Sequence, residues 1–286
     1  MKIAVVTDSN SCITPEEAKK LGVYVIPMPF MIDDEEYFEG INLTHEQFYE
    51  KLENDADVVT SQPVPQVVTD LWDEILTEYD QIIHIPMSSG LSGACQTAMM
   101  LAEDYDDKIF VVNNQRICPT QLYSVYDALK MIEKGYDGAK IKEILEKRRF
   151  DTTIYITVGT LKYLKKGGRI TPAVATIGNL LKIKPILAIH GEKLDAFATT
   201  RTLSSSKAIM INALKNDMEK LIHCTDYSKY RISVAYSAPI DIVEEFRQDL
   251  EKEFGVHVDC MPLSLSVSCH IGPVSLACAI SKIVED

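Results

Sequence analysis

The run Gln81-Ile82-Ile83-His84-Ile85-Pro86-Met87, followed by Ser88-Ser89-Gly90-Leu91-Ser92-Gly93 and then Ala94-Cys95-Gln96-Thr97-Ala98-Met99-Met100-Leu101-Ala102, decides the fold. The first segment is apolar and of strand length. The last is short-chained and helix-prone, and the Ser/Gly run between them reads as a tight turn. A strand–loop–helix of this kind aims free backbone N–H groups at whatever sits above it, and the helix start adds a partial positive charge. Glycines let a ligand approach the backbone, and serine hydroxyls can donate to it. An anionic group is the natural guest. Taken alone, the loop is read more simply as Ser92 capping its own helix.

The same alternation extends in both directions. Ile3 to Thr7 reads as a strand, and Asp8-Ser9-Asn10-Ser11-Cys12 as a polar loop. Thr14-Pro15-Glu16-Glu17 carries a capping-box helix start, Gly22 ends that helix, and Thr44-His45-Glu46-Gln47 repeats the start signal. Asp33-Asp34 sits between apolar flanks as a hairpin turn. Val58 to Pro65 is extended, with Thr60 and Ser61 either facing a ligand or capping the next helix. That helix shows an apolar face at Val68, Leu71, Trp72, Ile75 and Leu76. Lys108 to Val112 is a strand ending in Asn113-Asn114. Strands alternating with helices predict βαβ units and a parallel sheet, whose ligands bind beyond the carboxyl ends of the strands. On that reading Asp8-Ser9, Thr60-Ser61, Ser88–Gly93 and Asn113-Asn114 gather at one sheet edge.

The second half opens at Ile154–Val158. Leu161 to Ile170 is a basic run broken by Gly167-Gly168, a turn suited to presenting Arg169. Ala173 to Leu181 is apolar on most sides, as expected of buried core or of an apolar cavity wall. Lys184–Ile189 and Leu194–Arg201 read as a hairpin about His190–Lys193. Further segments are a helix from Ser204, a strand at Arg231–Ser237, a helix at Ile240–Phe254 and a strand at Val256–Met261. A last helix is expected after Ser268-Cys269-His270-Ile271-Gly272-Pro273.

Composition bounds the function. The net charge of −13 disfavours nucleic acid as a partner. Residues 1–155 hold 28 acidic and 13 basic side chains, a net of −15, whereas residues 156–286 hold 14 acidic and 16 basic, a net of +2. That shift marks a domain boundary, giving 1–155 and 156–286. The seven cysteines are odd in number and lack C-x-x-C spacing, which favours buried thiols of a cytoplasmic protein over a disulfide or zinc framework. No signal peptide or run of membrane-spanning length is apparent. Gly90-Leu91-Ser92-Gly93-Ala94 lacks the second glycine of a nucleophile elbow, so a serine hydrolase acting through Ser92 is the weaker alternative. Neither a dinucleotide fingerprint nor a Walker A loop is present. His270 is the best candidate for a phosphotransfer histidine, but nothing around it marks a nucleophile.

Six motifs then occur in order: Thr7-Asp8-Ser9; Thr60-Ser61-Gln62-Pro63; Ser88-Ser89-Gly90-Leu91-Ser92-Gly93; Tyr163 to Ile170; Asn179 to Leu187; and His270-Ile271-Gly272-Pro273. With these the chain resembles the DegV family over almost its whole length. This is the fatty-acid-binding group that includes the FakB subunits of bacterial fatty acid kinase. The resemblance implies an α/β fold of two α/β domains, the first with a mainly parallel sheet, and a ligand at their interface. It implies a long-chain fatty acid whose tail lies in an apolar tunnel of the second domain, walled by Ala173–Leu181. Carried over motif by motif, the carboxylate-binding residues are Thr60, Ser92, Arg169 and His270, with Ser61 and the Gly93 N–H as neighbours.

The resemblance further implies no cofactor and no chemistry of the chain's own. An ATP-dependent fatty acid kinase subunit would act as partner, forming an acyl-phosphate for phospholipid synthesis, and transient contact with a membrane surface is compatible with that role. A polyol-binding relative of the dihydroxyacetone kinase subunit is a further alternative. The chain departs from the family pattern at Cys12, where an Asp is usual, at Asn113-Asn114, where Asp-Ser is usual, and at Val274-Ser275, which replaces a glycine-rich run.

Overall fold

In a computed structural model, the described residues are 1–172, 174, 183–191 and 194–284. The chain divides into two compact units, Met1–Arg149 with Ser264–Ser266, and Phe150–Leu263 with Val267–Asp286. The second sheet therefore begins before residue 156, and three residues late in the chain return to the first unit.

The first unit is built on a four-stranded, all-parallel sheet of order β2-β1-β6-β7. Its strands are β1 (Ile3–Asp8), β2 (Tyr24–Ile26), β6 (Gln81–Ile85) and β7 (Ile109–Val111). Between them lie α1 (Pro15–Leu21), α3 (Pro65–Ile75) and α4 (Ala94–Ala102). The central strand β6 is buried along Ile82–Ile85, as a parallel strand flanked on both sides must be. The apolar face of α3 packs into this core, with Trp72 fully buried edge-on against His84 and Tyr105. After β7 come α5 (Pro119–Glu133) and α6 (Gly138–Lys147).

Local signals were expressed as expected. Thr14 caps α1 in a full capping box with Glu17, and Thr44 caps α2 (His45–Glu53) in another with Gln47. Asp33 and Asp34 both take positive φ in the turn joining β3 (Pro29–Ile32) to β4 (Glu35–Phe38). One expectation fails. Strand β5 (Val58–Thr60) does not join the parallel sheet. It pairs antiparallel with β3 in a separate sheet of order β4-β3-β5. A three-residue strand carries too little periodicity to reveal its partner, so its sheet membership is set by distant pairing.

The second unit holds a six-stranded sheet of order β10-β9-β8-β13-β11-β12, antiparallel except between β11 and β12. The strands are β8 (Thr152–Thr157), β9 (Lys184–Ile189), β10 (Leu194–Thr200), β11 (Tyr230–Tyr236), β12 (Val258–Pro262) and β13 (Leu276–Lys282). Helices α8 (Leu203–Lys220) and α9 (Ile240–Phe254) pack Met210, Leu214, Phe246 and Leu250 against it in one apolar cluster. The short α7 (Lys162–Gly167) follows β8, and α10 (Leu265–Ile271) precedes β13.

The last helix expected after Pro273 is thus corrected: the helix lies before Pro273 and a strand follows it. Leu276-Ala-Cys-Ala-Ile-Ser-Lys282 is a short run of small and apolar residues that periodicity cannot assign. Its position between β8 and β11, buried along Leu276–Ser281, makes it a strand. The apolar segment Ala173–Leu181 lies outside the described residues apart from Val174, which is buried. Among the described residues, no helix is long and apolar enough to cross a membrane.

Candidate functional site

In the first unit the parallel strand β6 ends at Ile85, and the chain turns through Pro86–Gly93 into α4. The turn is braced from below by Asp8 at the end of β1. One Asp8 carboxylate oxygen accepts the Met87 N–H at 2.7 Å. The other accepts the Asn10 N–H at 3.0 Å and the Gln121 amide at 3.2 Å. The same Gln121 amide nitrogen also reaches Thr7 Oγ1 and the Ile85 carbonyl oxygen. Burial pushes the Asp8 carboxyl up to about 6, against the pull of the three N–H donors.

The loop also closes on itself. The Ser88 carbonyl accepts the Leu91 and Ser92 N–H groups at 3.0 and 3.2 Å, and the Ser88 N–H donates to the Arg116 carbonyl at 2.8 Å. Gly93 caps α4 without a side-chain hydrogen bond. Ser92 Oγ accepts the Ala94 N–H at 3.2 Å, so its capping role is limited to that single amide. A hydroxyl that accepts still has its O–H proton to donate.

Thr60 and Ser61 stand at the end of β5. Neither caps α3, because Val64 holds that position and Pro65 opens the helix. They reach the Ser92–Gly93 turn through their neighbour Gln62. Gln62 Oε1 accepts from Thr97 Oγ1 at 3.1 Å, and a Cβ added to Gly93 would lie 3.1 Å from the same oxygen. Glycine at position 93 therefore lets the segment after β5 close against the start of α4. A small cleft opens here between Pro63 and Ala94, with Asp8, His84 and Thr97 as its polar side chains. Burial drives the His84 ring down to about 3, so it is neutral at physiological pH.

Asn113-Asn114 plays a different part from the one expected. The Asn113 N–H donates to Glu146, and the buried Asn114 amide donates to Ser124 Oγ at 2.8 Å. Through these two bonds the turn is tied to α6 and α5.

In the second unit, Arg169 and His270 come together around one glycine. Gly168, at φ +66°, ends α7 in the left-handed conformation. The Arg169 guanidinium then folds back to donate to the Gly167 carbonyl. A Cβ on Gly167 would lie 2.0 Å from His270 Nδ1, so any larger residue would displace the ring. Burial, with the Arg169 charge beside it, pushes His270 down to about 4. His270 is therefore a neutral hydrogen-bonding group, and Arg169 carries the positive charge. Gly272 repeats the device: it sits at φ +75°, and a Cβ there would lie 2.3 Å from the Tyr163 ring.

Sequence reading missed the buried Asp8–Gln121 brace, the neutral state of His84 and the Gly167–His270 contact. Gln121 lies 113 residues from Asp8, and nothing in its neighbourhood marks it. Chemically, both units offer hydroxyl, N–H and guanidinium donors suited to an anion. The hydrogen bond to Ser92 Oγ comes from a backbone N–H, and among the described residues no histidine or carboxylate is hydrogen-bonded to that oxygen. Among the described residues no group of three or more His, Cys, Asp or Glu is placed to hold a metal ion.

The fold and these donor groups place the chain in a class of α/β proteins built from a parallel-sheet unit and a mainly antiparallel one. The chain belongs to the DegV family: the family model described as "Uncharacterised protein, DegV family" matches residues 2–282. It is similar to the DegV domain-containing protein SAR1438 of Staphylococcus aureus (strain MRSA252), with 29% identity covering 98% of this chain and 99% of that one. It is 31% identical to spr1415 of Streptococcus pneumoniae, covering 97% and 98%. Among solved structures, a fatty-acid-binding DegV family protein from Thermus thermophilus superposes with a TM-score of 0.90 at 27% identity, covering 99% of this chain and all of that one. DegV of Bacillus subtilis, a fatty acid binding protein, matches with a TM-score of 0.85 at 27% identity over 99% of both chains.

Proposed function

We propose that this protein binds a long-chain fatty acid and presents its carboxylate to an ATP-dependent kinase partner. The observation that carries the reading is the whole-chain match to the fatty-acid-binding protein of Thermus thermophilus. The donor residues support it. Thr60, Ser61, Ser92, the Gly93 N–H, Arg169 and His270 would bind the carboxylate, with Arg169 supplying the charge and the others hydrogen bonds.

A carboxylate leaving water needs such partners. The tail offsets that cost: each buried methylene contributes ~0.8 kcal/mol, so a long chain gains on the order of 10 kcal/mol before association losses. Residues 173–181 would form part of the tail's wall. The partner would transfer the ATP γ-phosphoryl group to a carboxylate oxygen, releasing ADP and leaving an acyl-phosphate for phospholipid synthesis. This chain would supply no catalytic group, and it would act in the cytoplasm.

Lipid extraction and mass spectrometry of the purified protein, after it has been offered mixed fatty acids, test the binding step. About one long-chain fatty acid per chain is expected. Recovery of none would overturn the reading, and a retained polyol would favour the polyol-binding alternative. For the presenting step, Arg169→Ala should lower acyl-phosphate formation by a kinase partner more than it lowers lipid retention, because the tail supplies most of the binding energy. Equal loss of both would contradict this division of labour.

A further inference from the structure

We propose that Asp195 is a positioning residue for Arg169: it tethers the chain that follows the arginine to the edge of the second unit's sheet and thereby fixes where the guanidinium is presented. The inference rests on the reading of Arg169 as the charged partner of a fatty acid carboxylate. It adds a residue that acts through Arg169 rather than on the ligand.

Arg169 lies in a short linker between two attachments. On its N-terminal side α7 closes at Gly168, whose N–H donates to the Leu164 and Lys165 carbonyls at 3.1 and 3.3 Å. On its C-terminal side the chain runs onto β10, the outer strand of the six-stranded sheet. Ile170 bridges Leu194 in parallel register, and the Thr171 N–H donates to the Leu194 carbonyl at 3.3 Å. A one-residue bridge with a bond of that length is a weak attachment.

Side chains complete it. Thr171 Oγ1 donates to Asp195 Oδ1 at 2.6 Å, and the same oxygen accepts the Ala196 N–H at 2.8 Å. Asp195 is itself fixed within β10, opposite Ala188 of β9. A hydroxyl bonded to a carboxylate is charge-assisted and stronger than a neutral pair. The Thr171 hydroxyl, with the Ala196 N–H, holds the Asp195 carboxyl below its ordinary range, so it is an ionised acceptor at neutral pH. The tether thus closes two residues beyond Arg169. Between the two attachments the guanidinium folds back to donate to the Gly167 carbonyl, beside His270. Freeing Thr171 from β10 lets the linker swing and carries the guanidinium away from that place. Because Asp195 is exposed, its removal takes away little packing.

The first measurement needs no ligand. In nitrogen-15-labelled full-length protein, the Arg169 side-chain Nε–H resonance is assigned by its loss in R169K. D195A and T171V should shift it toward the position of a free arginine side chain. T171S keeps the hydroxyl and D195N keeps an acceptor oxygen, so both should leave it in place. A resonance unmoved in D195A and T171V would overturn the proposal. So would equal shifts in D195A and D195N, which would make the carboxylate's charge the cause and not its tether. The second measurement compares binding of palmitic acid and methyl palmitate, which share a tail but differ in charge. D195A should lose about tenfold in affinity for the acid, as expected of a displaced charged hydrogen bond, and keep its affinity for the ester. In an R169A background D195A should cost nothing further. Equal loss of acid and ester, a further loss in the R169A background, or a melting temperature lowered by more than about 4 °C would assign Asp195 to general stability and overturn the proposal. A wild type that binds neither lipid would overturn the fatty acid reading instead, and the Arg169 resonance would still decide the tether.

Discussion

The two units place their candidate donor groups by opposite means. In the first, a buried carboxylate and a buried amide hold the Pro86–Gly93 loop from beneath, and the hydrogen bonds of Asp8 and Gln121 set its position. In the second, hydrogen bonding matters less than the absence of side chains. Gly167 and Gly272 leave room for His270 and Tyr163 at distances where a Cβ would collide. A polar brace tolerates small shifts but fails when an acceptor is lost. A close approach tolerates loss of a hydrogen bond but not an added methyl. The difference predicts which substitutions each unit resists.

The largest effect is expected at the steric site. Gly272→Ala should cost ~3 kcal/mol, because the new Cβ meets the Tyr163 ring and the left-handed backbone is strained. Chemical denaturation would measure it. A cost below ~0.5 kcal/mol, the ordinary surface value, would show that the contact is not enforced.

The polar brace should respond next. Asp8→Ala should cost ~2 kcal/mol by leaving the Met87 and Asn10 N–H groups and the Gln121 amide without their acceptor. The brace should also depend on pH. The Asp8 carboxyl is raised from 3.8 to about 6 in the folded protein, so its contribution to stability is fully present below 3.8 and is lost as pH rises through 6. D8N lacks this titration and should gain on the wild type between pH 4 and pH 7 in parallel urea melts. Parallel profiles would contradict a buried, raised Asp8.

A smaller effect, of opposite sign, belongs to the second unit. Val274 is an exposed β-branched residue at φ 59°, a backbone conformation that favours glycine. Val274→Gly should stabilise by ~1 kcal/mol by relieving that strain, and an unchanged or lower melting temperature would count against it. The mildest expectation concerns His270, lowered from 6.5 to about 4. Its contribution to stability is present above 6.5 and is lost as pH falls through 4. An NMR titration should find the ring neutral at pH 6, and a midpoint near 6.5 would break the account of its burial.

The same contrast explains what the sequence revealed. Features written in adjacent residues were legible: the capping boxes at Thr14 and Thr44, the Asp33-Asp34 turn, and the strand–loop–helix around Ser88–Gly93. Features that depend on distant partners were not. The pairing of β5 with β3 is a long-range choice, and three residues cannot declare it. The strand β13 reads like a helix until β8 and β11 are placed on either side. Motifs single out Arg169 and His270 as candidates, but the need for glycine at 167 lies in the His270 ring packed against it, 103 residues away in sequence.

The central claim is that Thr60, Ser92, Arg169 and His270 all serve one fatty acid carboxylate. The most direct measurement is the carbon-13 NMR spectrum of a carboxyl-labelled long-chain fatty acid bound to the wild type and to T60V, S92A, R169A and H270F. The account predicts a single bound carboxyl resonance, distinct from that of the free acid and displaced in each variant. A bound resonance that stays fixed in all four, or a labelled acid that remains free, would contradict it.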